Sequence, residues 1–121
     1  MFQNCNVLEN LNLSNFDTSG STSLGHMFTS CHELKDIDIS SFDTSRVTSM
    51  ENMFSDCKKL EKIYASSTFN IDSVTSSKDM FQYSSKLIGG NGTKFSSSFI
   101  DKTYARIDNP PDLPGYFTLK E

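Results

Sequence analysis

The chain has 121 residues and a formal net charge of −4, the length of a single domain with a modest core. Its 11 basic residues are scattered, which argues against a nucleic-acid surface, and no run approaches the roughly 18 apolar residues of a membrane-spanning helix. Ser and Thr make up 30 of the 121 residues while charged residues are 21%, so the surface is polar but weakly charged. The opening MFQNCNVLEN carries neither the basic nor the apolar region of a signal peptide.

Internal periodicity dominates the chain from its first residues. Met-Phe occurs at Met1-Phe2, Met27-Phe28, Met53-Phe54 and Met80-Phe81, in steps of 26, 26 and 27 residues. Cys5, Cys31 and Cys57 keep the same register, with Ser84 in the fourth place, and Leu8, Leu34, Leu60 and Leu87 come next. After them stand Leu11/Leu13, Ile37/Ile39 and Ile63/Ala65, then Phe16, Phe42 and, after one inserted residue, Phe69. Residues 1–26 and 27–52 share 11 identities without a gap; composition alone would give about one or two. The spacing divides the chain into units 1–26, 27–52 and 53–79, the start of a fourth at 80–88, and a different segment at 89–121.

Within each unit, L-x-x-L-x-L reads as a short strand whose alternate residues point inward. One such unit cannot bury its apolar face. Copies stacked about 4.8 Å apart would pair their strands in parallel and turn each inward position into a column. Met50, Met53 and Phe54, like Leu24, Met27 and Phe28, have i, i+3, i+4 spacing, which predicts a short helix or 3₁₀ turn from about Thr48 to Ser55. The repeated FDTS at Phe16–Ser19 and Phe42–Ser45 reads as a turn capped by Asp and Thr side chains, altered at Phe69-Asn70-Ile71-Asp72 in the third copy. The expected fold is an α/β repeat solenoid, with one short parallel strand and one short helix or 3₁₀ turn per coil of about 26 residues.

After Leu87 the pattern breaks at Gly89-Gly90-Asn91-Gly92, and all three prolines lie in the last dozen residues. A stack needs an end cover, so 89–121 is expected to form a C-terminal cap, with Phe95, Phe99, Tyr104, Ile107, Tyr116 and Phe117 as covering side chains. A ligand-binding loop region is the alternative. Nothing equivalent precedes the first Met-Phe, and further repeats are expected N-terminal to Met1.

The polar and reactive residues give no catalytic frame. The three Cys lack the close pairs of a metal site; free buried thiols are the favoured reading, although neighbours about 5 Å apart in one column would not exclude a disulfide by distance. His26 and His32 read as surface turn residues. Asp17 and Asp43 could form a carboxylate column for Ca²⁺, but turn capping accounts for them more simply. No acid/base pair, nucleophile frame or phosphate loop is visible, so no enzyme activity and no cofactor are expected. The outward strand positions are the best candidates for binding: Asn10, Asn12 and Ser14, then Asp36, Asp38 and Ser40, then Lys62, Tyr64 and Ser66. An exposed Tyr offers contact area at little entropic cost, which singles out Tyr64.

Two stretches carry a family resemblance: Leu11-Asn12-Leu13-Ser14-Asn15-Phe16-Asp17-Thr18-Ser19, and Val47-Thr48-Ser49-Met50-Glu51-Asn52-Met53-Phe54-Ser55-Asp56-Cys57. With the tail segments Gly89–Thr93, Asp101–Asp108 and Pro114–Thr118, the chain resembles the BspA-like leucine-rich-repeat proteins of bacterial cell surfaces. The resemblance implies a solenoid on a secreted or surface-anchored protein, a role in adhesion to a protein or glycan on a host or neighbouring cell, and no catalytic residues. A purely structural spacer or stalk is the alternative expectation.

Overall fold

A computed structural model describes Leu13 and residues 17–120. Three short strands form one parallel sheet: β1 (Asp36–Asp38), β2 (Lys62–Ala65) and β3 (Phe117–Leu119), in the order β1-β2-β3. The register aligns Asp36 with Lys62, Ile37 with Ile63 and Phe117, and Asp38 with Tyr64 and Thr118. Strand alternation then sorts the side chains. Ile37, Ile63 and Phe117 are at most 1% exposed and line the interior, while Asp36 and Lys62 face solvent.

The third strand comes from far along the chain. One period beyond β2 lies Gly89-Gly90-Asn91-Gly92, in which Gly90, at the place of Ile63, has no side chain to pack on it, and whose strand propensity is weak. Phe117–Leu119 takes the position beside β2 instead.

The segment from Thr48 to Ser55 differs from the sequence expectation. It is a chain of turns, not a helix. Left-handed residues interrupt it at equivalent places in successive units: His26 and Ser30, Asn52 and Asp56, Asp79 and Tyr83. Asn, Asp and His are among the non-glycine types that tolerate this region best. A helix would have used its N–H groups internally. Here alternate N–H groups reach the next unit: Leu24 donates to Ser49 O, His26 to Glu51 O, Phe28 to Met53 O and Ser30 to Ser55 O, all within 2.8–3.0 Å. Met50, Asn52, Phe54 and Asp56 repeat the pattern onto Ser76, Lys78, Met80 and Gln82 at 2.7–3.0 Å. The i, i+3, i+4 spacing still marks the buried face, since Met50, Met53 and Phe54 are fully buried.

Equivalent side chains lie against one another. The rings of Phe28 and Phe54 stack at 5.4 Å and those of Phe54 and Phe81 at 5.8 Å, nearly parallel. Leu34, Leu60 and Leu87, and Met27, Met53 and Met80, are buried in the same core. Polar groups bridge the units where the core meets backbone. Thr44 Oγ1 donates to Asn70 O at 2.8 Å and accepts from Asn70 N at 3.2 Å. Thr18 makes the same reciprocal pair with Asp43.

Cys57 shows what its position requires. Its thiol donates to Phe28 O at 3.1 Å. One unit later, Ser84 Oγ donates to Phe54 O and accepts from Cys57 N at 3.0 Å. A small side chain with one donor suffices there, which explains why Ser can replace Cys in the fourth copy. Cys31 and Cys57 are buried thiols. Burial, followed by the neighbouring Cys31, pushes the Cys57 thiol up to about 12, so it is not a nucleophile at neutral pH.

The last ring of the Phe row is met by the C-terminal segment. Tyr116 and Phe117 stand edge-on to Phe81, at 5.1 and 6.2 Å. The Tyr116 hydroxyl accepts from Ser96 N at 3.0 Å and donates to Phe99 O at 2.9 Å, so this buried ring leaves no polar tip unsatisfied. Phe95, Tyr104 and Ile107 pack against the core half-buried, while Phe99 lies on Tyr104 at 4.4 Å and stays 37% exposed.

Asp108, 2% exposed, locks this segment. Its Oδ2 accepts from Asn91 N at 2.8 Å and Thr93 N at 3.1 Å; its Oδ1 accepts from Thr93 Oγ1 at 2.6 Å and Gly115 N at 3.1 Å. Burial alone would raise this carboxyl, but the donors from Thr93, Gly115 and Asn91 outweigh it and hold it below its ordinary value. The packing is close enough to demand glycine on both sides. A Cβ at Gly89 would sit 2.1 Å from Gly115 O, and one at Gly115 would sit 2.2 Å from Arg106 O.

Two outcomes are expected. Ser84→Ala strands the Cys57 N–H and the Phe54 carbonyl, at a cost of about 1–3 kcal/mol in denaturant unfolding, whereas Ser84→Cys recovers most of it; equal losses in the two variants would refute the donor role. For Asp108, a depressed folded pKa means that the unfolded chain binds the extra proton. Its stabilisation is therefore complete above the ordinary carboxylate value and is lost as pH falls below it. Asp108→Asn turns an amide N–H against donors and should cost about 2–3 kcal/mol at pH 7, with a shallower loss of melting temperature between pH 5 and pH 2 than the parent, a range set by ordinary carboxylate titration. An unchanged acid limb would assign that loss to other carboxylates.

Candidate binding face on the strand ladder

The sheet presents one face to the core and the other to solvent, and the outward row is where the sequence-derived candidates fall. Asn10, Asn12 and Ser14 lie outside the described residues. Asp36 and Lys62 are direct partners across β1 and β2, and both are exposed. Asp38 and Tyr64 form the next pair, and Thr118 of β3 extends that row. The structure thus brings four of the six described candidates together as two adjacent pairs of opposite or complementary character.

One side chain on this face escapes sequence reasoning. Lys120, just past β3, places its Nζ 3.3 Å from Asp38 Oδ2 and 5.8 Å from the centre of the Tyr64 ring. It spans the row from the far strand to the first, with an ammonium over an aromatic face and a carboxylate at its end. Tyr64 is accordingly half-buried. Asp38 is also held by Ser40, whose N–H donates to its Oδ1 at 2.8 Å. Partial burial raises the Asp38 carboxyl, but the bonds from Ser40 and the Lys120 charge prevail and leave it below its usual value. The alternation Phe117-Thr118-Leu119-Lys120 was the available signal; nothing local in it names β2 as the partner.

The face is therefore polar, charge-paired and rigid in register. It holds a carboxylate, an ammonium and a phenol within one contiguous row, groups that can exchange hydrogen bonds with a polar ligand. Beside β3 a cleft of about 540 Å³ includes Asn91, Leu113 and Leu119 in its walls. The Thr118 hydroxyl faces this region buried and without a hydrogen-bond partner.

The other polar residues singled out in the sequence act locally. Asp17 and Asp43 accept from the N–H and hydroxyl of Ser19 and Ser45, at 3.0 and 2.6 Å in both turns. The serine hydroxyls and amides hold both carboxyls below their ordinary value. Asn70 takes over that acceptor role in the third copy, toward Asp72 N at 3.2 Å. His32 Nε2 lies 3.0 Å from Asp56 Oδ2, a contact between units, and His26 occupies an exposed left-handed turn position. Among the described residues, no three His, Cys, Asp or Glu side chains converge as metal ligands, and no helix is long and apolar enough to cross a membrane.

Comparison with known proteins adds one finding. No curated protein and no solved structure matches the chain. A family model described as "Mycoplasma protein of unknown function, DUF285" matches residues 1–106. With nearly the whole chain covered by that match, from the first Met-Phe through the start of the C-terminal segment, this protein belongs to the DUF285 family.

Proposed function

We propose that the chain is a leucine-rich-repeat-type solenoid of the BspA-like kind, closed by its C-terminal segment. In this reading it is a non-catalytic module on the outside of the cell that presents its strand face to a protein or glycan on a host or neighbouring cell. The observation that carries the reading is the Asp38–Tyr64–Thr118 row with Lys120 laid across it. Parallel pairing fixes its spacing, and the opposite face of the same strands is core, so the row can meet a partner without rearranging. Extended, rigid faces of this type bind through a few anchored side chains, with Tyr prominent among them.

A second reading, a spacer or stalk, draws on the backbone ladder that passes from unit to unit at nearly constant geometry. Such a ladder transmits length and stiffness whatever the outward side chains are. The two readings part at Tyr64.

The test is adhesion of beads carrying the chain to arrays of extracellular-matrix proteins and glycans, with thermal unfolding measured in parallel. Tyr64→Ala is expected to weaken adhesion about tenfold or more. It should lower stability by only about 0.5–1 kcal/mol, the scale of the lost contact with Lys120. Adhesion unchanged in this variant would favour the spacer; a variant that unfolds would make Tyr64 a core residue.

A further inference from the structure

The turn ladder ends at the fourth Met-Phe, and the way it ends points to a second site, away from the strand face. In the two preceding units the left-handed residues Ser30 and Asp56 donate their N–H to the following unit, at Ser55 O and Gln82 O. Tyr83 holds the equivalent position with φ 67°. The C-terminal segment replaces the missing unit only in part: Ile100 O accepts from Phe81 N at 2.9 Å. The Tyr83 N–H, two residues on, has no acceptor among the described residues.

Tyr83 is unusual in two further respects. It is 65% exposed, the most exposed of the large apolar side chains, and its ring meets no other aromatic ring among the described residues. A bulky aromatic in the left-handed region is strained, a cost that Ser and Asp bear more easily at this position. Beside the ring lies an open pocket of about 410 Å³, walled by Gln82, Tyr83, Ser85, Phe95, Ser97 and Ile100. Phe95 and Ile100 are its other apolar lining residues, Gln82, Ser85 and Ser97 its polar ones, and none of the described lining residues is charged.

We propose that this pocket binds a neutral saccharide, with Tyr83 as the stacking platform. A pyranose ring has an apolar face of C–H groups and a rim of hydroxyls that both donate and accept. The lining residues form the complementary set: an aromatic side chain for the face, and the polar Gln82, Ser85 and Ser97 for the rim. The absence of charge in the lining disfavours sialylated, sulfated and phosphorylated ligands, whose anions would be desolvated without a counter-charge. The volume accommodates one or two sugar rings, within the usual range for small-ligand pockets. The site shares no residue with the Asp38–Tyr64 row, so it stands whether or not that row binds a partner.

The test is saturation-transfer NMR on the full chain against a panel of neutral sugars, each as reducing sugar, methyl glycoside and longer oligosaccharide, with unlabelled peptides as a parallel panel. At least one sugar is expected to show transfer. Binding of the glycoside and oligosaccharide but not the reducing sugar identifies the terminal residue of a glycan as the ligand; equal binding identifies the free sugar. Tyr83→Asn keeps a residue type suited to the left-handed turn, as Asn52 already shows, and removes the ring. It should lower affinity about tenfold or more while melting temperature holds, and Tyr83→Phe should stay within about threefold, because the ring does the stacking. Tyr64→Ala should leave this binding intact. No transfer to any sugar, transfer to peptides alone, or full affinity in Tyr83→Asn would each overturn the proposal.

Discussion

The N–H groups of Leu24, His26, Phe28 and Ser30 are satisfied by carbonyls one unit later, and those of Met50, Asn52, Phe54 and Asp56 likewise. Buried backbone donors left unpaired are costly, so each unit depends on the next to complete it. The same step that satisfies these donors brings Phe28 onto Phe54 and Phe54 onto Phe81. Hydrogen bonding and apolar burial therefore impose one spacing, and a side chain out of register would fail on both counts.

This mutual dependence makes the last unit the critical one, and the C-terminal segment answers it in pieces. Phe117 extends the row of Ile37 and Ile63, Tyr116 meets Phe81, and Ile100 receives the Phe81 N–H. Asp108 holds those pieces together by gathering donors from Asn91, Thr93 and Gly115 around one buried carboxylate. The completion is uneven. β3 takes the place beside β2, while beside Tyr83 the backbone ladder stops, so the molecule has a charge-paired face on one side and an open pocket with no charged residue in its described lining on another. Lys120 shares in the first of these: the strand that completes the sheet also delivers the cation that crosses Tyr64 to Asp38.

The repeat period, the inward columns and the turn role of Asp17 and Asp43 were all legible from residue spacing, because each is set by chemistry repeated at a constant interval. So was the pairing of outward candidates, in that Asp36, Asp38, Lys62 and Tyr64 occupy matching positions of successive units. The backbone of the Met-Phe segment was not. Its i, i+3, i+4 spacing is what a helix would need, yet Asn52 and Asp56 adopt left-handed conformations and turn their N–H groups outward to the next unit. Burial periodicity reports which side chains face inward; it does not report where the N–H groups go.

The period and the identity of the buried row were thus written in the residues alone, since both come from side-chain types recurring at a fixed distance along the chain. Long-range packing settled which segment lies beside β2, that Lys120 reaches Asp38, and that the Tyr83 N–H meets no acceptor among the described residues. Those outcomes join residues more than 50 positions apart, as Ile63 and Phe117 are, or rest on which unit lacks a successor. No local pattern encodes such a meeting; it arises because the glycines at 89, 90 and 92 cannot pack on Ile63, while a later segment of the chain can.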